Sequence, residues 1–216
     1  MITIAPAQAR DAADLAAIYA HHVLHGTASY ETVPPVEAEM AARLAKVQVS
    51  GGPWLVARGG DGEMLGYAYA SQFRDRAAYR YACENSIYIR HDRRGEGIGK
   101  QLLAALIVAA EDCGYRQMIA VIGGGEPGSV ALHAALGFAP AGTLRSIGRK
   151  HGSWLDTVYM QLTLGAGDSA PPLAEPDKPA VKWRRFPRRS PSGSPRGAGS
   201  LRRAWRSSPA ADRATA

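Results

Sequence analysis

The chain reads as an α+β domain built on one mixed β-sheet, and three observations predict this. Short stretches rich in β-branched and aromatic residues read as strands, while others carry apolar residues at helical spacing. Their order, β, α, α, β, β, β, α, β, α, β, β, mixes hairpins with parallel crossovers around one core. At 216 residues the chain has room for one such domain and an appendage.

Residues 2–4 form the first strand. Leu15, Ile18, Tyr19, His22 and Val23 then mark one face of a helix starting near Asp11. Gly26-Thr27-Ala28-Ser29-Tyr30 breaks that helix, and Pro34-Pro35 closes the break. A second helix covers 37–49, with Met40, Leu44 and Val47 on one side. Strands at 53–58 and 64–73 are joined through Gly59-Gly60-Asp61-Gly62, a strong hairpin signal. The stretch 74–82 is polar and aromatic, and is expected to be a loop leading into a short central strand at 86–89. From Ile98 to Cys113 the period is helical, with Ile98, Leu102, Leu103, Leu106, Ile107 and Ala110 on one stripe. Residues 117–122 are an apolar strand ending in Gly123-Gly124-Gly125. A short helix at 129–136 stops at Gly137, the usual left-handed cap. The last two strands start at Phe138 and Trp154, separated by Arg149-Lys150-His151-Gly152.

Two regions of different composition divide the chain at residues 1–164 and 165–216. The second holds 11 Lys/Arg against 4 Asp/Glu and 8 of the 14 prolines, with no apolar periodicity. The first holds 15 residues of each sign, so the net charge of +7 belongs to the tail. A neutral core gives no electrostatic argument for nucleic acid. The tail cannot bury enough apolar surface to offset its ordering entropy, so disorder is expected there. Its arginines would suit nucleic acid or acidic membranes, but a solvated tail is the plainer expectation, and an extension of a shorter enzyme is a third reading. No run reaches bilayer-spanning length, and the first residues carry neither the cationic lead nor the apolar core of a signal peptide. Cys83 and Cys113 form neither a metal spacing nor a disulfide framework. A cytoplasmic protein without a metal is expected.

The chemistry concentrates at Arg94-Gly95-Glu96-Gly97-Ile98-Gly99-Lys100, between the central strand and the long helix. Glycines there let backbone N–H groups turn toward one point, and the helix N-terminus adds partial positive charge. A phosphate-bearing ligand suits such a point. The loop is not a nucleoside-triphosphate loop, because three residues separate Gly95 from Gly99 and Gln101 follows Lys100. Nor is it a dinucleotide fingerprint, since Leu102 stands where a third glycine belongs. Arg-x-x-Gly-x-Gly resembles the pyrophosphate loop of the GNAT acyltransferase superfamily; the alternative is a glycine-rich turn without a ligand. Further segments resemble the phosphinothricin N-acetyltransferase family within it: Arg76-Ala-Ala-Tyr79-Arg-Tyr-Ala-Cys-Glu84, Val121-Ile122-Gly123, 129–138, and Lys150-His-Gly-Ser-Trp154-Leu-Asp156.

That resemblance, running over about 2–164, implies the GNAT fold and transfer of an acetyl group from acetyl-CoA to the α-amine of phosphinothricin or a sulfur analogue. Amines near neutral pH are mostly ammonium, titrating at about 8, and must lose a proton before they attack. Glu84 matches the family's general base; otherwise it is a surface carboxylate at a strand start. His133 matches a catalytic position, or packs as a half-buried histidine. The resemblance implies that Ile87, Tyr88 and Ile89 offer main chain to the pantetheine arm and to the developing oxyanion, and that Arg94 to Lys100 bind the pyrophosphate. Arg76 would clamp a substrate carboxylate or sit in a solvated loop. Tyr79 and Tyr30 match aromatic positions near the family's substrate pocket, Tyr30 alternatively packing the core or a lid, and the resemblance implies that Val121 and Gly123 contact substrate as well. Trp154 and Asp156 are expected to be structural or part of a dimer surface. One departure is Glu126, where relatives commonly have Asn: an ionised carboxylate accepts but cannot donate, which predicts weaker or main-chain-only contact with CoA. A homodimeric enzyme is expected. The alternatives are acetylation of another small amine or a protein N-terminus, and a non-enzymatic CoA- or nucleic-acid-binding protein that uses the tail.

Overall fold

The computed structural model describes residues 1–172, so nearly all of the segment expected to be disordered lies outside the described residues. The elements are β1 (Thr3–Pro6), α1 (Ala12–His25), α2 (Glu37–Val49), β2 (Trp54–Arg58), β3 (Met64–Gln72), β4 (Ala82–Ile89), α3 (Ile98–Asp112), β5 (Gln117–Gly123), α4 (Pro127–Ala134), β6 (Ala139–Lys150) and β7 (Ser153–Thr163). The strands form a mixed sheet in the order β1-β2-β3-β4-β5-β7-β6. Neighbours are antiparallel except β4 and β5, which run parallel and are joined by the α3 crossover.

Strand alternation explains why both faces are covered. Trp54 and Val56 of β2, with Tyr67 of β3, pack with Leu15, Val23, Met40 and Leu44 of α1 and α2. Leu55, Ala57, Leu65 and Ala68 point the other way and pack with Leu102, Leu103 and Leu106 of α3. Strands buried on both sides carry near-continuous apolar runs, as β2 and β3 do.

Two elements differ from the sequence-based expectation. β4 starts at Ala82 rather than 86, because Glu84 and Asn85 are paired on both sides, with Ser71 and Ala70 of β3 and with Ile119 and Ala120 of β5. Polar residues hid this half of the strand; the preceding loop is shorter and contains a single-turn helix at Ala77–Tyr79. α4 starts two residues early. Pro127 fills a first-turn position where its missing N–H costs nothing, and the Glu126 carboxylate accepts the Ser129 N–H at 2.6 Å. Among the described residues no helix is long and apolar enough to cross a membrane.

Candidate active site

β4 pairs with β3 along its length but with β5 only from Ala82↔Gln117 to Asn85↔Ala120. Past Asn85 the two strands part and leave a fork. The Phe73 N–H bonds the Ala82 carbonyl, and the Arg90 N–H bonds the Leu65 carbonyl. Even-numbered residues of β4 therefore turn their peptide groups to β3, and odd-numbered ones turn theirs to the fork. Ile87 and Ile89 thus turn main chain toward the opening, whereas Tyr88 pairs with Tyr67 of β3 and buries its ring among Tyr19 and Tyr67. His22 occupies the Ile89 carbonyl, its Nε2 donating at 2.9 Å.

Gly95 (φ 83°) and Gly97 (φ 77°) hold the loop before α3 in left-handed conformations. A Cβ at either would meet nothing within 4 Å, so conformation rather than crowding demands glycine. The Gln101 N–H bonds the Gly97 carbonyl, and among the described residues no side chain caps α3. The N–H groups of Ile98, Gly99 and Lys100 are therefore available to an anion. A cavity of about 390 Å³ runs from them to Ile87 and Ile89, walled also by His22, Arg94 and Leu132. Not every nearby charge is available. Arg93 is held by Glu96 at 2.8 and 3.0 Å and by Glu63, which also binds Arg90. Glu96 is thus committed to the loop's own shape. Arg94 is exposed, with Glu126 3.6 Å away, and Lys100 has no ion-pair partner among the described residues.

The two candidate proton-handling residues lie on opposite faces of β4. Glu84 shares the α1/α2 face with Ser86 and Tyr88, while Cys83 and Asn85 face α3 and α4. Burial raises the Glu84 carboxyl above the ordinary carboxylate range, and the charge of Arg74 draws it partly back. His133 is buried behind the fork. Its Nδ1 lies 2.7 Å from the Ser129 carbonyl, which can only accept, so Nδ1 carries a hydrogen. Its Nε2 lies 3.0 Å from Asn85 Oδ1, and the Asn85 amide is oriented by donation from Nδ2 to the Ile119 carbonyl at 3.2 Å. Two facing acceptors suit a protonated ring, while burial works against it and lowers the pKa. Glu84 and His133 are not brought together; Asn85 is the residue between them.

Val121 and Gly123 lie on the Glu84 face of β5, since Met118, Ala120 and Ile122 pack toward α3. Tyr30 packs against the glycines of β5 and β6. Its ring fills the space a Cβ would claim at Gly148 and Gly123, and its hydroxyl contacts the Asp156 carbonyl, Thr157 Oγ1 and the Gly124 N–H. Arg76 and Tyr79 stand exposed around the single-turn helix, with the Tyr79 ring edge-on to Phe73 at 6.0 Å. Asp156 is structural, accepting the N–H of Ser146, which sits at φ 51°. Glu126 caps α4, so its carboxylate has work that needs an acceptor only. Four residues were missed: His22, Arg74, Asn85 and Lys150. Asn85 was hidden because it and Glu84 look like loop residues until β3 and β5 flank them. The others depend on contacts between distant segments.

Among the described residues, no group of three or more His, Cys, Asp or Glu could hold a metal ion. A family profile described as "Acetyltransferase (GNAT) domain" matches residues 4–159. The phosphinothricin N-acetyltransferase of Alcaligenes faecalis is 53% identical over 159 residues, covering 73% of this chain and 80% of that protein. An L-methionine sulfoximine/L-methionine sulfone acetyltransferase of Pseudomonas aeruginosa is 39% identical over 169 residues, 78% of this chain and 98% of its own. Among solved structures, a GNAT superfamily phosphinothricin acetyltransferase from Sinorhizobium meliloti in complex with AcCoA superposes with a TM-score of 0.78 at 49% identity. That match covers 79% of this chain and 92% of the other.

Proposed function

This chain belongs to the GNAT acetyltransferase family, and on that premise we propose that it transfers the acetyl group of acetyl-CoA directly to the α-amine of a small amino-acid-like acceptor. The acceptor class is that of phosphinothricin and methionine sulfoximine or sulfone, the compounds for which its relatives are named. The observation that carries this reading is the fork: an open strand edge at Ile87 and Ile89, with a helix N-terminus at one end and Glu84 on the acceptor face.

Bound acetyl-CoA would supply an activated acyl group. The N–H groups of Ile98, Gly99 and Lys100, with the Arg94 and Lys100 charges, hold its pyrophosphate. The Ile87 N–H and C=O and the Ile89 N–H pair with the pantetheine arm, and a fork-facing N–H steadies negative charge on the thioester oxygen. Glu84 accepts the ammonium proton, directly or through one water, so that the amine attacks as a free base. A carboxylate made more basic by burial is better suited to that task than an ordinary one. Arg74, whose charge acts on Glu84, would in this reading attract the acceptor's carboxylate.

Residues 1–172 contain every group in this account, so we assign the segment beyond them no part in transfer. The exposed Leu144, Ile147 and Trp154 of β6 and β7 support assembly as a homodimer through that edge. Free Cys83 and Cys113 agree with a reducing, cytoplasmic setting.

The test is release of CoA thiol in the presence of phosphinothricin, methionine sulfoximine or methionine sulfone. Amine-dependent release is expected. A folded protein that binds acetyl-CoA and releases no thiol with any of the three would overturn the acceptor class.

A further inference from the structure

Lys150 ends β6, and only 6% of it is exposed. Its ammonium donates to the Ser29 carbonyl at 2.6 Å, across 121 residues of sequence. Burial lowers its pKa, and the charge of Glu31 partly offsets this. A buried ammonium is costly unless bonded, so this contact fixes both partners. Ser29 is itself the centre of a network. Tyr19 gives its one hydroxyl proton to Glu31 at 2.9 Å, so the Ser29 hydroxyl donates to Tyr19 at 2.7 Å and accepts the Glu31 N–H at 3.1 Å. Arg43 of α2 grips the same Glu31 with bonds of 2.8 and 3.1 Å.

The rest of the segment 26–31 is clamped against the same side of the sheet. His151 reaches the Gly26 carbonyl at 3.3 Å, and the Tyr30 ring lies where a Gly148 Cβ would come within 2.5 Å of it. Thr27 closes on β5, leaving a Cβ at Gly123 or Gly124 only 2.5 and 2.4 Å from its atoms. Ala28, between these anchors, faces both the cofactor cavity and the small cavity of about 50 Å³ at the fork. Thr27 and Tyr30 thus close this side of the fork by direct contact with Gly123, Gly124 and Gly148.

We infer that Lys150 is a positioning residue for acceptor selection: it pins segment 26–31 over the fork, so the slot admits the amine of a small free molecule and excludes a polypeptide N-terminus. This rests on the reading that the amine enters at the fork. Lys150 acts through Ser29 and touches no reacting atom.

The full-length enzyme and Lys150→Met are compared in steady-state CoA release with phosphinothricin, methionine sulfone and a short unblocked peptide. Hydrogen exchange of the 26–31 amides is followed in parallel. Loss of a charged hydrogen bond predicts a rise in small-amine KM of about tenfold, with the acetyl-CoA KM held within about twofold. Peptide acetylation should emerge, and exchange at 26–31 should quicken. Should Lys150→Met misfold, Gly148→Ala displaces the Tyr30 ring without touching Lys150 and should open the same segment. Unchanged amine KM and unchanged exchange in a folded variant would overturn the inference, as would a wild-type enzyme that acetylates the peptide as well as the amino acids. If the wild type turns over no amine at all, the acceptor reading fails instead, and the exchange rates alone decide whether Lys150 holds the roof.

Discussion

Where the loop 94–100 meets α3, the groups offered to a ligand are main-chain N–H donors, shaped by two glycines at positive φ within one short stretch. Across the fork the materials are different. Glu84, Tyr30 and Lys150 come from separate segments and reach their places through burial and long-range bonds such as Lys150 to Ser29, while the exposed Arg74 acts on Glu84 by its charge. Main-chain recognition tolerates many side chains, provided the backbone turns correctly; side-chain recognition fails one residue at a time. The cofactor arm should therefore break through conformation, and the acceptor arm through chemistry.

The largest effect belongs to the acceptor arm. Glu84→Gln keeps the shape and removes the proton acceptor, so turnover should fall by about 10²–10⁴-fold in steady-state assays while acetyl-CoA affinity holds. Stability should move the other way. Burial raises this carboxyl's folded-state pKa above its unfolded value, so the ionised group costs stability above the raised pKa and nothing well below the ordinary one. At neutral pH the variant should melt higher than the wild type, and a lower melting temperature would mean that Glu84 is a structural carboxylate.

On the cofactor arm, Gly97→Val forces a β-branched residue to φ 77°, costing about 1–2 kcal/mol and misdirecting the α3 N–H groups. The wild type at saturating acetyl-CoA, about 100 times Kd, should gain about 2.7 kcal/mol by linkage. Thermal denaturation of the variant should show that gain lost, with the apo domain still folding cooperatively. An undiminished gain would place the pyrophosphate elsewhere.

Asn85→Leu sharpens the comparison, because it leaves both arms in place and removes the acceptor facing His133 Nε2. A drop in turnover of about tenfold is expected, with His133 easier to deprotonate by NMR titration, since the loss of one facing acceptor destabilises the cation. The smallest effect is Glu126→Asn. Asn retains the α4 cap while removing a negative charge 3.6 Å from Arg94, so the acetyl-CoA Kd should tighten by a few-fold, roughly 0.5–1 kcal/mol in calorimetry.

What could be read in advance follows the same division. α3 and its loop were legible because six apolar positions and three glycines lie within one stretch, and local periodicity needs no partner. The beginning of β4 was not legible, since Glu84 and Asn85 look like loop residues until β3 and β5 flank them. The Tyr30 hydroxyl and the Lys150 ammonium sat in recognised segments, yet nothing local announces that their partners lie more than 100 residues away. The opposed faces of Glu84 and Asn85 do follow from strand alternation, but only once the strand is known to start at Ala82.

The central claim, that Glu84 takes the proton from the attacking amine, is tested most directly by kcat/KM against pH for the wild type and Glu84→Gln, over roughly pH 6 to 10 around the amine's own value of about 8. The account predicts a wild-type acid limb governed by a carboxyl above the ordinary range, and a variant whose depressed rate climbs with pH as solvent supplies free amine. Coincident profiles with equal rates at neutral pH would contradict it.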